Sequence, residues 1–342
     1  MKIGKIDTNQ KVFVVAEIGN NHEGDFELAR RLISEAAACG ADAVKFQTIV
    51  PERLVDRSDG ARIEQLRQFQ FSREQFEKLK QRADDEGILF LSTPFDLESA
   101  AWLNDLVPAF KVASGDNTFW PLLDFLTSTG KPLLLSTGLI LHDDLLWLRE
   151  FLRQGWKKHQ VTFPGLALLH CIVNYPTSDG DANLLRIRNL AGMDSVTPGY
   201  SDHTLGIEAA ILSVALGARV VEKHFTFDKN RDSFRDHQLS ADPADLKALV
   251  SGIRKAELLL GSAEWDARGC ELQIGPRVRR SIAAKRDLSA GDQLTPSDLI
   301  WVRPGSGWAP GRESELVGRS LRHSVLAGEI FTSKHFAPSC AE

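Results

Sequence analysis

The sequence has no long apolar run of the kind that crosses a bilayer, and its opening residues, MKIGKIDTNQK, carry no signal-peptide pattern. Its four cysteines, Cys39, Cys171, Cys270 and Cys340, are widely scattered and show no paired metal-ligand spacing. They read as buried or incidental thiols in a reducing cytoplasm, not as a zinc site or a disulfide framework. Positive charge is not in excess: 41 Lys and Arg stand against 46 Asp and Glu, a net charge of −5. No general attraction to nucleic acid or to an anionic membrane is expected from that balance. Nor does a G-x-G-x-x-G follow the first apolar run, which removes the usual mark of an open dinucleotide-binding sheet. What remains is the composition of a cytosolic globular enzyme, with 43% hydrophobic and 25% charged residues over 342 positions. That length suits one large domain plus a small one, or two of medium size.

Short apolar runs alternate with longer amphipathic stretches. The strand candidates are VFVVAEIG (12–19), AVKFQT (43–48), ILFLSTPF (88–95), AFKVASG (109–115), PLLLSTG (132–138), LALLHCIV (166–173), VTPGYSD (196–202) and RVVEKHFT (219–226). Between them lie segments of helical spacing. In FELARRLISEAAACG, Leu28, Leu32, Ile33 and Ala36 share a face and Gly40 ends the helix. LGARVVEKH repeats the Gly-Ala turn from helix into strand seen in CGADAVKFQ. Eight such units over roughly 260 residues predict an α/β fold of the (β/α)8 TIM barrel type, spanning 1–262. Residues 263–279 mix charge, Gly and Pro and read as a linker. From 280 to 338 come short strand-like pieces and turns, a small β-rich module whose thin core needs something else to lean on.

The polar residues at the strand ends carry the functional signal. They are Glu17; Lys45 and Gln47; Thr93; Lys111, Ser114 and Asp116; Ser136 and Thr137; His170 and Tyr175; Ser201, Asp202 and His203; Glu222 and His224. In a (β/α)8 barrel these ends converge on one face, where active sites are built. Alternation places Lys45 with Gln47, Ser201 with His203, and Glu222 with His224. Buried strands rarely carry lysine without a partner, so Lys45 and Lys111 point to an anionic ligand. Glu17 suits either acid–base work or an ion pair with one of those lysines. His203 and His224, at equivalent depth on adjacent strands, suit a divalent ion with open positions, Mn²⁺ or another octahedral metal, better than a closed zinc site. In VVEKHF, Lys223 faces away from that pair and is expected to meet a carboxylate on the helix side.

As a set, AEIGNNHEGD (16–25), GADAVKFQT (40–48), FLSTPFD (90–96), FKVASGDN (110–117), LLLSTGL (133–139), LLHCIVNYPT (168–177), GYSDHTLG (199–206) and VEKHFT (221–226) resemble the sialic acid synthase family. Those enzymes join phosphoenolpyruvate to an N-acylated amino-hexose to make nine-carbon nonulosonic acids. IAAKRDLSAGDQLTPSDLIWVRPGSG and LVGRSLRHSVLAGE look like the family's C-terminal antifreeze-like (SAF) domain. The resemblance implies that His203 and His224 hold the divalent metal, Mn²⁺ foremost, with Mg²⁺ or Co²⁺ as alternatives. It implies Glu17 beside the metal and its water; Lys45, Thr93, Lys111, Ser114 and Ser201 on phosphoenolpyruvate; and Gln47, Asp116, Tyr175 and Asp236 around the acceptor. Arg303 matches the arginine that one subunit's antifreeze-like domain inserts into its partner's barrel, which implies a domain-swapped homodimer.

The chain departs from the family pattern around the substrates. Ile172-Val173 stands where many members have Thr-Asn or Thr-Ser, removing a polar group near phosphoenolpyruvate, with Asn174 one residue on as the substitute. The loop 49–65 is short, and DKNRDSFRDH (228–237) lacks the usual Gly. These changes leave the acceptor open: N-acetylmannosamine, a legionaminic- or pseudaminic-type precursor, or the shorter sugar of a 3-deoxy-ulosonate synthase. A non-catalytic glycan-binding protein is the reading outside enzymes.

Overall fold

The computed structural model of the chain describes residues 1–231, 235–266 and 268–337. Eight parallel strands build one sheet: β1 (Phe13–Gly19), β2 (Ala43–Thr48), β3 (Leu89–Pro94), β4 (Phe110–Val112), β5 (Leu133–Ser136), β6 (Leu166–Cys171), β7 (Thr197–Asp202) and β8 (Val220–His224). The hydrogen-bonded order is β3-β2-β1-β8-β7-β6-β5-β4, so the first and last strands are neighbours, and β3 and β4 lie side by side where the ring comes together. A helix follows each strand: α1 (Phe26–Ala38), α2 (Arg73–Asp85), α3 (Leu97–Leu103), α4 (Trp120–Ser128), α5 (His142–Lys158), α6 (Arg186–Ala191), α7 (Glu208–Ala215) and α8 (Pro243–Leu260). This is the expected (β/α)8 barrel, its sheet nearly closed.

Local chemistry starts and stops these elements. Asp25 caps α1 by accepting the Leu28 N–H at 3.0 Å, and Gly40, at φ +86°, turns the chain out of the helix. Asp242 caps α8 in the same way, with Pro243 in the first turn. Leu28, Leu32, Ile33 and Ala36 are all buried against the sheet, as their spacing predicts. Outward-facing Val14, Ala16, Val44 and Phe46 meet the helices, while Phe13, Val15, Ala43, Leu91, Leu134, Leu169 and Val220 fill the interior. An N-terminal hairpin, Lys2–Ile3 with Ile6–Asp7, lies across the strand starts and plugs the floor with Ile3.

The barrel forms one compact unit, Met1–Gly261, and Ser262–Glu342 forms a second. The stretch expected as linker contains a helix, Gly269–Val278, with an exposed surface along its length. In the second unit β9 (Ser281–Ala284) pairs antiparallel with β10 (Leu299–Val302) over a small core of its own, including Ile282, Leu294, Leu316, Val325 and Phe331. Residue 338, the last of the expected module, lies outside the described residues. Among those described, no helix is long and apolar enough to cross a membrane.

Candidate active site

The side chains that alternate into the barrel change from apolar to charged toward the strand ends. Strand register sets Glu17 on β1 opposite His224 on one side and Lys45 on the other, and sets Glu222 opposite Ser201. The result is a four-charge cluster with almost no solvent access. Lys45 Nζ lies 2.8 Å from Glu17 Oε2 and 3.7 Å from Glu222 Oε1, and Lys111 Nζ lies 3.6 Å from the same Glu222 oxygen. Hydroxyls complete the set: Lys45 donates to Thr93 Oγ1 at 3.0 Å, Lys111 to Ser136 Oγ at 2.8 Å, and Ser201 Oγ to Glu222 Oε1 at 3.2 Å. Gln47 Nε2 donates to Glu17 Oε1 at 3.0 Å and in turn accepts from Asn20 at 3.1 Å.

Burial of charge on this scale moves every proton affinity. Desolvation, reinforced by Glu222, lifts Glu17 above its ordinary value even against the pull of Lys45. For Lys45, burial works downward but the two carboxylates outweigh it and leave the ammonium raised. Lys111, with less compensation, is lowered by burial. Glu222 resists its own burial because Lys111, Lys45 and His203 hold it below the usual range. Its Oε2 is nonetheless buried without a hydrogen-bond partner. Two lysines and two carboxylates, ringed by hydroxyls, thus place ammonium and hydroxyl donors of the kind that phosphate or carboxylate oxygens accept.

Above the charges sit the two histidines, their rings 5.4 Å apart. His203 Nδ1 faces the Ile172 carbonyl at 2.8 Å, which assigns the proton to that nitrogen and leaves a lone pair on Nε2. His224 Nδ1 is buried with no partner. Burial lowers both imidazoles, and for His224 the nearby His203 and Lys45 lower it further, so both are neutral ligand-type rings. The pair therefore fits a divalent ion held by two histidines. Among the described residues no group of three or more His, Cys, Asp or Glu is placed to hold a metal ion.

A cavity of about 860 Å³ opens over this floor, lined by Asn20, Glu23, Gln47, Arg62, Gln65, Tyr175, His224 and Asp236 among others. The Tyr175 ring packs 4.1 Å from that of His203. Ser114 Oγ accepts the Gly138 N–H at 3.1 Å, and burial raises Asp116 to about 6 with its Oδ2 unpartnered. The structure thus gathers Glu17, Lys45, Gln47, Thr93, Lys111, Ser201, His203 and His224 at one mouth, with Tyr175 and Asp236 on its wall. Asn174 is exposed on the loop after β6, outside the buried set. Arg303 belongs to the second unit, exposed just after β10. Of the stretch 228–237, residues 232–234 lie outside the described residues.

Two strand-end polar groups behave otherwise. His170 points outward, its Nε2 2.8 Å from the Ala182 carbonyl, because Leu169 and Cys171 take the interior positions on β6. Lys223 also faces outward and meets Asp202 Oδ2 at 2.9 Å, the carboxylate expected of it. Sequence reasoning missed Asn20, Arg62 and the lysine-binding role of Ser136. Ser136 stood in the strand-end set, and its interior alternation was the signal available.

Together the fold and site define a (β/α)8-barrel enzyme with a buried cluster of lysines and carboxylates beneath a pair of neutral histidines. The chain matches the NeuB family over residues 32–265 and the SAF domain over 279–337. It is 39% identical to the N,N'-diacetyllegionaminic acid synthase of Legionella pneumophila, over 94% of each chain. The solved N-acetylneuraminic acid (sialic acid) synthetase of Leptospira borgpetersenii superposes with a TM-score of 0.74 at 33% identity, covering 80% of this chain and 94% of that one. The spore coat polysaccharide biosynthesis protein E of Chromobacterium violaceum gives 0.81 at 26% identity, covering 96% and 100%. The chain belongs to the NeuB family and is an enzyme of the sialic acid synthase type.

Proposed function

We propose that the chain condenses phosphoenolpyruvate with the open-chain form of an N-acylated amino-hexose such as N-acetylmannosamine, making a nonulosonic acid and releasing phosphate by C–O cleavage. The observation that carries this reading is the pairing of Lys45 and Lys111, both within 3.7 Å of Glu222, at the floor of a cavity walled by His224. Lys45 and Lys111, with Thr93, Ser114, Ser136 and Ser201, hold the phosphate and carboxylate oxygens. A divalent ion at His203 and His224, Mn²⁺ foremost, would supply Lewis-acid polarisation of the acceptor's aldehyde. C3 of phosphoenolpyruvate forms the new bond to the aldehyde carbon, and positive charge develops at C2. Glu17, held above its ordinary value, accepts a proton from the water that adds at C2. The proton held by Glu17 passes to the former aldehyde oxygen, the C2 hydroxyl gives its proton to the departing phosphate as the C2–O bond breaks, and the keto acid is left. Positioning and fixed charge supply most of the acceleration.

Gln47, Asp116, Tyr175 and Asp236 surround the acceptor in this reading, with Asn174 the polar side chain nearest the Ile172-Val173 departure. Glu23, Asp236 and Arg62 line the cavity and Arg231 pairs with Glu23, so this part of the site carries charge of both signs. A legionaminic- or pseudaminic-type precursor is the second reading, favoured by the similarity to the Legionella enzyme. The proposal includes a cytoplasmic, domain-swapped homodimer in which the second unit of one protomer lends Arg303 to the barrel of the other.

The test is phosphate release from phosphoenolpyruvate with Mn²⁺ against N-acetylmannosamine and di-N-acetylated 6-deoxy-hexoses, with EDTA and no-sugar controls. Release with one sugar, abolished by EDTA, is the expected result. Release only with a phosphorylated pentose or tetrose would replace the proposal with the shorter synthase reaction.

A further inference from the structure

Two of the four residues that follow β1, Asn21 and Glu23, are tied by their side chains to a segment more than two hundred positions away. Asn21 Nδ2 donates to the Phe225 carbonyl at 2.9 Å and to Ser240 Oγ at 3.0 Å, and Ser240 Oγ donates in turn to the Asp236 carbonyl. Glu23 Oε1 lies 2.9 Å from His237 Nε2, and the other ring nitrogen of His237 shares a proton with Thr226 Oγ1 at 2.7 Å. Arg231 approaches the same Glu23 oxygen at 2.8 Å. His237 is wholly buried, with Thr226 just after β8 on one ring nitrogen and Glu23 of the loop after β1 on the other. The loop after β1 is itself rigid: Glu23 and Gly24 have φ of +52° and +80°, and a Cβ on Gly24 would stand 2.1 Å from the Gln68 carbonyl oxygen.

We propose that Glu23 and His237 form a latch that positions the acceptor end of the cavity, so that His237 is a positioning residue for sugar binding, resting on the synthase reading above. The argument is one of fixed geometry. Glu23 and Asp236 both line the cavity, yet they come from opposite ends of the chain. Asp236 adjoins His237 in a short helix, Arg235–Leu239, whose backbone is anchored at Ser240 and Ala241. His237, placed beneath, joins Glu23 to Thr226 across the seam between β1 and β8. The Asn21–Ser240 bond is a second tie between the loop after β1 and this helix. The groups assigned to phosphoenolpyruvate, Lys45, Thr93, Lys111, Ser136 and Ser201, stand on β2, β3, β4, β5 and β7, away from the β1–β8 seam.

The experiment compares His237→Leu, which removes both bonds, with His237→Gln, which retains a donor toward Glu23. In the first, the acceptor KM is expected to rise about 10- to 100-fold while the phosphoenolpyruvate KM stays within about twofold, the scale of a misplaced binding group. In the second, much of the loss is recovered. Hydrogen exchange gives a readout independent of turnover: amide protection in 235–241 should fall in His237→Leu and hold elsewhere in the barrel. Wild-type phosphate release judges the synthase reading, and the exchange pattern judges the latch whether or not that release is seen. Unchanged protection at 235–241, an unchanged acceptor KM, or equal rises in both KM values would each overturn the latch.

Discussion

Replacing Lys223 by Met tests the claim that half of VVEKHF is structural. Its Nζ sits 2.9 Å from Asp202 Oδ2 with side-chain exposures of 1% and 0%, and it also donates to the Thr204 carbonyl. Asp202 has other donors: the Tyr200 hydroxyl at 3.0 Å, and the Thr204 N–H and hydroxyl, both at 2.8 Å, all on Oδ1. Removing one partner of a buried pair costs about 3–5 kcal/mol, because a charge is left behind without compensation. The remaining bonds to Oδ1 put the loss at the lower end of that range, and the orphaned Thr204 carbonyl adds about 1 kcal/mol. At roughly 2–4 °C per kcal/mol for a domain of this size, the resulting loss of about 4 kcal/mol is expected to lower the barrel's Tm by roughly 8–16 °C. Urea unfolding followed by tryptophan fluorescence measures it, with an unchanged slope as the sign that only stability moved. In a double-mutant cycle, Asp202→Asn combined with Lys223→Met should cost less than the sum of the two. A loss below about 1 kcal/mol, with additive single effects, would refute the reasoning and place the pair with ordinary solvated ones.

Three further outcomes are expected. His224→Ala should lower Mn²⁺-dependent turnover on the order of 100-fold or more with an unchanged melting profile; full activity in metal-replete buffer would remove the ligand assignment. On the domain-swapped reading proposed above, Arg303→Ala should raise the acceptor KM about tenfold, the worth of one charged hydrogen bond, without changing the elution volume on size exclusion. Burial raises Asp116 to about 6 from the ordinary 3.8, so its stabilising contribution is complete below that ordinary value and lost as pH rises through about 6. Asp116→Asn, locked neutral, should therefore gain stability relative to wild type between about pH 4 and about pH 7. A difference that stays flat across that range in urea melts would count against the shift.

The barrel was legible because its eight strands are short apolar runs separated by amphipathic spacing, with little local ambiguity. Much of the site was legible by alternation: Lys45 with Gln47 and Ser201 with His203 do project together. His170 shows the same rule applied too loosely, since period two on Leu169, His170 and Cys171 sends the histidine to the helix side, where it stacks 5.7 Å from Tyr200. Other features depend on register and distance that no local pattern carries. Ser136 meets Lys111 only because the barrel's stagger slides β5 along β4. The Glu23–His237 bond spans 214 positions. The helix Gly269–Val278 contains Pro276 and two glycines, a weak helical signal, and its end is secured by Gly305 N–H on the Pro276 carbonyl at 2.8 Å.

The plugged floor has a kinetic consequence. With Ile3 and its hairpin closing one end, the site is a well with a single mouth. On the proposed reading, phosphoenolpyruvate held by Lys45 and Lys111 arrives before the sugar that covers it. For the same reason the nine-carbon product must depart before the phosphate beneath it can follow. Order of addition and release is thus written into the shape of the barrel, before any residue at the mouth is considered.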